Sequence, residues 1–178
     1  MDFTEKTIAT REIYKGRIVH LVEDTVILPD GRQAGRELIL HNGGVGVIAI
    51  DEDKNVLMVT QYRKPYDEMV LEVPAGKLEK GEDPFEAGMR ELQEETGYKA
   101  EKVTYLGKYY PTPGYCSEII SLYLAEDLSF VGQNLDEGEF VIVEKIPLAK
   151  LVEMVMNNEI PDGKTALAIL KADKIVNG

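Results

Sequence analysis

Apolar and polar positions alternate with different periods along the chain, and each change of period marks an element. Residues 7–13 are polar with scattered apolar positions, and Tyr14-Lys15-Gly16 reads as a turn. Residues 17–28 hold Ile18, Val19, Leu21, Val22, Val26, Ile27 and Leu28, a composition suited to a strand. Pro29-Asp30-Gly31 is a turn signal, and residues 34–41 return as a second strand. This opening of about 40 residues reads as a β meander too small to stand alone, packing on its own core or completing a partner's. Gly43-Gly44 then leads into Val45-Gly46-Val47-Ile48-Ala49-Ile50, the unbroken apolar run of a buried central strand. Asp51-Glu52-Asp53-Lys54-Asn55 is a charged hairpin turn that lacks the remaining ligand spacing of an EF-hand. Strands follow over residues 56–62 and 69–73.

The period then becomes helical. Asp83 is suited to cap a helix, Pro84 to its first position, Glu86 to a capping box and Gly97 to its left-handed end, which predicts a helix over residues 84–96. On its wheel Phe85, Met89 and Leu92 form one stripe with Thr96 beside them, while Glu91 and Glu95 stack well away from it, flanked by Glu94. Further strands are predicted over 103–109 and 119–125, around Pro111-Thr112-Pro113-Gly114. A loop with an acidic tail covers 128–138, a strand 139–146, and two helices 147–157 and 162–175. Gly163-Lys164-Thr165 has the end of a phosphate-binding loop, but the glycine needed five residues earlier is Asn158. Mixed strands and helices predict an α/β fold, a sheet covered by helices on both faces.

Composition narrows the class. A chain of 178 residues, 44% hydrophobic and 29% charged, is an ordinary globular protein of one domain, with room for an appendage. We divide it into the meander, 1–42, and a main domain, 43–178. No apolar run approaches a membrane span and the N-terminus has no apolar signal core, so no membrane partner is expected. A single cysteine, Cys116, suits a reducing cytoplasm. The net charge of −12 argues against sequence-independent nucleic-acid binding. An anionic substrate would then need metal ions and a few arginines to reverse the field locally.

Like charges at i,i+4 weaken a helix, so Glu91 and Glu95 are suited to await a cation. Oxygen ligands without His or Cys favour Mg²⁺ or Mn²⁺ over zinc. Glu82, at the helix entrance, adds a carboxylate, and Arg90 is suited to orient one carboxylate through a bidentate bond. The full spacing of Gly76, Glu82, Arg90, Glu91, Leu92, Glu94, Glu95, Gly97 and Tyr98 resembles the box of the Nudix hydrolases. A chance match anywhere in the chain is on the order of 10⁻⁷ or less.

That resemblance implies an α/β/α sandwich with a mixed sheet, and a loop-helix-loop that binds divalent metal and cleaves a nucleoside diphosphate linked to a further group. Carried over, Glu82, Glu91, Glu95 and the carbonyl of Ala75 hold the metal, and Arg90 and Glu94 belong to the catalytic set. The acidic loop supplies the base, Glu137, with Glu139 competing. Val73-Pro74-Ala75-Gly76-Lys77-Leu78 and Pro113, fifteen positions past Tyr98, resemble the bacterial ADP-ribose pyrophosphatase branch. Tyr115 instead matches a position linked to dinucleoside polyphosphate hydrolases. The loop with Pro113, Gly114 and Glu118 would meet the terminal ribose and Arg36 and Glu37 the adenine end, while Arg63 is by its chemistry a pyrophosphate clamp. Phe3, Tyr14 and Tyr66 are the aromatic candidates for stacking on the base. The implied substrate is ADP-ribose, the implied products AMP and ribose 5-phosphate, and the implied assembly a homodimer that exchanges its meanders. Another nucleoside diphosphate sugar, a dinucleoside polyphosphate, or a non-catalytic nucleotide sensor are the alternatives.

Overall fold

The computed structural model describes residues 2–135 and 137–178; Asp136 of the acidic loop lies outside them. The chain divides into two compact units.

The first unit takes Met1–Gly43 together with Tyr110–Ile119, a segment the sequence placed in the main domain. Its sheet is an antiparallel meander of β1 (Lys6–Lys15), β2 (His20–Ile27) and β3 (Gln33–Leu40), in that order. The polar opening is therefore a strand. All ten residues of β1 are exposed, and a strand that buries neither face has no apolar alternation to betray it. Polar cross-strand pairs stand in its place: Arg11 with Glu23 at 2.5 Å, Thr10 with Asp24 at 2.6 Å and Glu12 with His20 at 2.9 Å. Tyr14 and Lys15 end β1, and the turn falls after them, closed by Gly16 N–H donating to Val19 O at 2.8 Å.

The second unit takes Gly44–Tyr109 and Ile120–Gly178. Its mixed sheet runs β10 (Val141–Pro147), β5 (Asn55–Arg63), β4 (Gly44–Ile50), β9 (Ile120–Phe130), β8 (Tyr98–Tyr109). β6 (Glu68–Glu72) pairs with β5, and the short β7 (Ala75–Lys77) with β4. β4 is buried along its whole length, and its period of two splits the core. Val45, Val47 and Ala49 face Ala87 and Leu92 of α1 (Pro84–Thr96). Ile48 and Ile50 join Leu148 and Leu151 of α2 (Leu148–Met156) and Ala168, Ile169 and Ala172 of α3 (Gly163–Val176). Helices thus cover both faces of a mixed sheet, the predicted architecture.

Some bounds differ from expectation. β8 starts directly after Gly97, and β9 runs through residues 128–130, which read as loop. The extensions pair Tyr98 with Phe130 and Ala100 with Leu128 between polar pairs such as Lys102 with Glu126 at 2.7 Å, a run too mixed to stand out as apolar. β7, three residues long, has no periodicity to read. Among the described residues no helix is long and apolar enough to cross a membrane.

Candidate active site

The box helix starts and stops as its residues dictate. Asp83 Oδ1 accepts the N–H groups of Phe85 and Glu86 at 2.9 and 3.2 Å. Gly97, at φ 79°, ends the helix by donating its N–H to Gln93 O at 2.8 Å.

The roll of that helix is not the expected one. Its buried side is Ala87, Gly88, Glu91, Leu92, Glu95 and Thr96, whereas Phe85 is exposed and Met89 only half-buried. The reason lies at Gly88, where a Cβ would come within 3.0 Å of Val45 Cγ2 and 3.2 Å of Val47 Cγ2. With no side chain there, the helix rides close to β4 on its small-residue side, and the two glutamates are carried in with it. They are not a solvated face: Glu91 is 9% exposed and Glu95 3%.

Glu95 Oε2 accepts the N–H of Ala75 at 3.0 Å. Burial pushes its carboxyl up to about 8; the Ala75 N–H opposes this, and the charges of Glu91, Glu139 and Glu72 add to it. Glu91 is likewise pushed up by burial, with Arg90 opposing and Glu94 and Glu139 reinforcing. Gly76 makes the room Glu91 occupies, because a Cβ at Gly76 would lie 1.9 Å from Glu91 Oε1. Arg90 does not serve one carboxylate. It spans three, at 2.9 Å from Glu91, 2.8 Å from Glu94 and 3.2 Å from Glu82. Burial weakens its charge, but these three anions overcome that and raise its pKa.

Among the described residues no three acid, His or Cys side chains converge as a ready cage for a cation. Arg90 draws Glu82, Glu91 and Glu94 to itself, and the Ala75 N–H takes Glu95. The donor set nevertheless fits a hard divalent ion: all oxygen, two of its carboxyls buried on successive turns, one of them seated where Gly76 has no side chain.

A second buried cluster abuts the first, and sequence reasoning missed most of it. Glu72, 2% exposed at the end of β6, receives Arg63 Nε at 2.5 Å and Nη2 at 2.7 Å, and also pairs with Lys164. Lys164 in turn meets Asp162 at 2.9 Å. Thr165 Oγ1 donates to Asp162 at 2.5 Å and accepts the N–H of Val73 at 3.0 Å. Burial opposes ionisation of Glu72, but Arg63 and Lys164 together hold its carboxyl below the usual range. Gly163-Lys164-Thr165 is therefore the first turn of α3, its lysine committed to Glu72. The available signal was Glu72 itself, a carboxylate at an inward strand position two residues from buried Val70.

The acidic loop, which follows β9, is tied to the end of α1, with Gln133 Nε2 donating to Glu95 O at 2.6 Å and Asn134 N–H to Glu94 O at 3.2 Å. Glu137 and Glu139 are both exposed, and Glu139 is the one whose charge reaches Glu91 and Glu95. The remaining predicted residues lie in the first unit. Arg36 is committed to Glu5 at 2.5 Å, and Glu37 stands exposed, paired in register with Glu23. Pro113 and Gly114 are exposed at a loop tip, while Glu118 lies 3.6 Å from His41 Nδ1.

Comparison with known proteins agrees with this geometry. The NUDIX domain model matches residues 40–166, and the nucleoside diphosphate sugar hydrolase N-terminal domain model matches residues 5–39. The chain belongs to the Nudix family. It is 44% identical to an ADP-ribose pyrophosphatase of Bacillus subtilis (strain 168), across 93% of this chain and 90% of that protein. It is 45% identical to a methanol dehydrogenase activator of Bacillus methanolicus, across 94% and 91%. An ADP-ribose pyrophosphatase of Mycobacterium tuberculosis is 32% identical over 97% of this chain and 85% of its own. A crystal structure of an ADP compounds hydrolase shares the fold at a TM-score of 0.87, with 20% identity and coverage of 100% and 97%.

Proposed function

We propose that this chain hydrolyses the pyrophosphate bond of ADP-ribose to AMP and ribose 5-phosphate, with Mg²⁺ as the metal and Mn²⁺ able to replace it. The observation that carries this reading is the buried pair Glu91 and Glu95 beside Gly76, in a chain related over nearly its whole length to two ADP-ribose pyrophosphatases. Glu91, Glu95, Glu82 and the Ala75 carbonyl would hold the cation, which would neutralise charge on the phosphoryl oxygens. With Glu91 given to the cation, Arg90 would keep Glu94 and Glu82 oriented. Arg63, fixed by Glu72 through its Nε–Nη2 edge, offers Nη1 to the pyrophosphate. A glutamate of the acidic loop takes the proton of the attacking water as the P–O bond of the pyrophosphate breaks.

We assign that base to Glu137. Glu137→Gln is expected to lower kcat by about 10²-fold or more with KM little changed. Near-normal turnover in that variant, with collapse in Glu139→Gln, would transfer the role to Glu139, whose charge reaches the box carboxyls.

The substrate is tested by offering ADP-ribose, other nucleoside diphosphate sugars and a dinucleoside polyphosphate at equal concentration and resolving the products by chromatography. ADP-ribose is expected to give the highest kcat/KM; preference for another compound, such as the GDP-mannose named for relatives 32% identical, would replace it. Arg36, Glu37, Pro113, Gly114 and Glu118 are assigned to the nucleoside and ribose ends of the substrate. The working form is a cytoplasmic homodimer. Support for the dimer comes from β1, exposed throughout with Ile8, Ile13 and Tyr14 uncovered.

A further inference from the structure

Apart from the grip of Glu72 on Arg63, the buried ion cluster has no part in the chemistry above, yet it is an expensive thing to build. Four charged side chains, Arg63, Glu72, Lys164 and Asp162, follow one another in alternating sign, and the two central ones are 2% and 8% exposed. Replacing such a chain with apolar residues often stabilises a protein, so its retention calls for a use other than stability.

Its geometry suggests one. Glu72 grips Arg63 with both oxygens, which fixes the plane of the guanidinium but would also cancel its charge. Lys164 sits on the same carboxylate, at Oε2, so that Glu72 is shared between two cations and Arg63 keeps part of its positive field. Asp162 balances Lys164 from the far side. The same first turn of α3 is bonded through Thr165 to Val73, two residues before Ala75, whose N–H holds Glu95. Arg63 in turn feels the charge of Glu95 as well as that of Glu72.

We propose that Lys164 is a positioning residue which, through Glu72, sets the charge and orientation that Arg63 presents to a pyrophosphate. This rests on the reading of the site as one for pyrophosphate compounds. Removing the Lys164 charge leaves Glu72 to neutralise Arg63 alone, and anion affinity falls. Removing the Asp162 charge does the reverse.

The test compares Lys164→Met, Lys164→Arg, Asp162→Asn and Arg63→Met in the full chain with Mg²⁺. Binding of inorganic pyrophosphate is followed by calorimetry, and kcat and KM with ADP-ribose are measured beside it. Lys164→Met is expected to weaken pyrophosphate binding and raise KM about tenfold, with kcat within about threefold of wild type. Lys164→Arg should restore both to within about twofold of wild type. Asp162→Asn, which keeps a helix-capping side chain, should tighten binding about twofold. In an Arg63→Met background the Lys164→Met loss should vanish, since the effect passes through Arg63. Lower thermal stability in Lys164→Met with unchanged binding and KM would make the cluster purely structural and overturn the proposal. Should Lys164→Met fail to fold, Asp162→Asn decides alone: unchanged or weaker pyrophosphate binding overturns it. Wild-type turnover of ADP-ribose tests the substrate separately, so the two readings fail by different results.

Discussion

Glu95 carries a carboxyl held up near 8 by burial and by its acidic neighbours, and this makes the protein without metal sensitive to pH in a defined direction. Between the ordinary value of 4.5 and about 8 the folded state keeps a proton that the unfolded chain has already released. Stability therefore falls as pH rises through that window, by an amount on the order of a few kcal/mol. Glu91, also raised, adds in the same sense. Glu72, held low, works oppositely: its contribution is present above its unfolded value and is lost as pH falls through its folded one. Thermal melts in chelator should show Tm dropping from pH 5 to 8.5, with Glu95→Gln flattening the slope and Mg²⁺ restoring Tm at pH 8. A slope that is flat or rising in the wild type would contradict the burial of this pair as a charged site. The identities of the box residues were legible in the sequence because their spacing is rigid. Their burial was not, since a helical wheel ranks faces by hydrophobicity and takes no account of Gly88 letting glutamates approach the sheet.

At the level of elements, the box helix is fixed at both ends, and its C-terminal stop couples it to β8 and to the acidic loop. Gly97 has φ 79°, and a Cβ there would lie 2.7 Å from Phe130 Cε2 and 2.8 Å from Gln133 N. Gly97→Ala should cost about 1–3 kcal/mol in denaturant unfolding, through backbone strain and displacement of the loop that carries Glu137 and Glu139. An unchanged midpoint would mean that this turn tolerates a side chain. The helix bounds, caps and the buried run of β4 were readable because capping residues and apolar periods are local signals. β1 was not, for all ten of its residues are exposed, and β7 is too short for any period. Nor was the Glu72–Lys164 pair, which joins β6 to α3 across 92 residues.

For the whole molecule, a net charge of −12 and an anionic substrate are reconciled by concentrating cations where they are needed. Arg63, Lys164 and Arg90 stand among the buried carboxylates, and a divalent ion adds to them. Light scattering at assay concentration should give twice the mass of the 19.9 kDa chain; a monomer would remove the dimer from the account. The most direct test of the central claim is anomalous diffraction from crystals soaked in Mn²⁺ with a non-cleavable methylene analogue of ADP-ribose. A manganese peak bonded to the carboxylates of Glu91 and Glu95, with Arg90 drawn away from Glu91, is the predicted result. A peak elsewhere, or none while Arg90 still clasps Glu91, would contradict it.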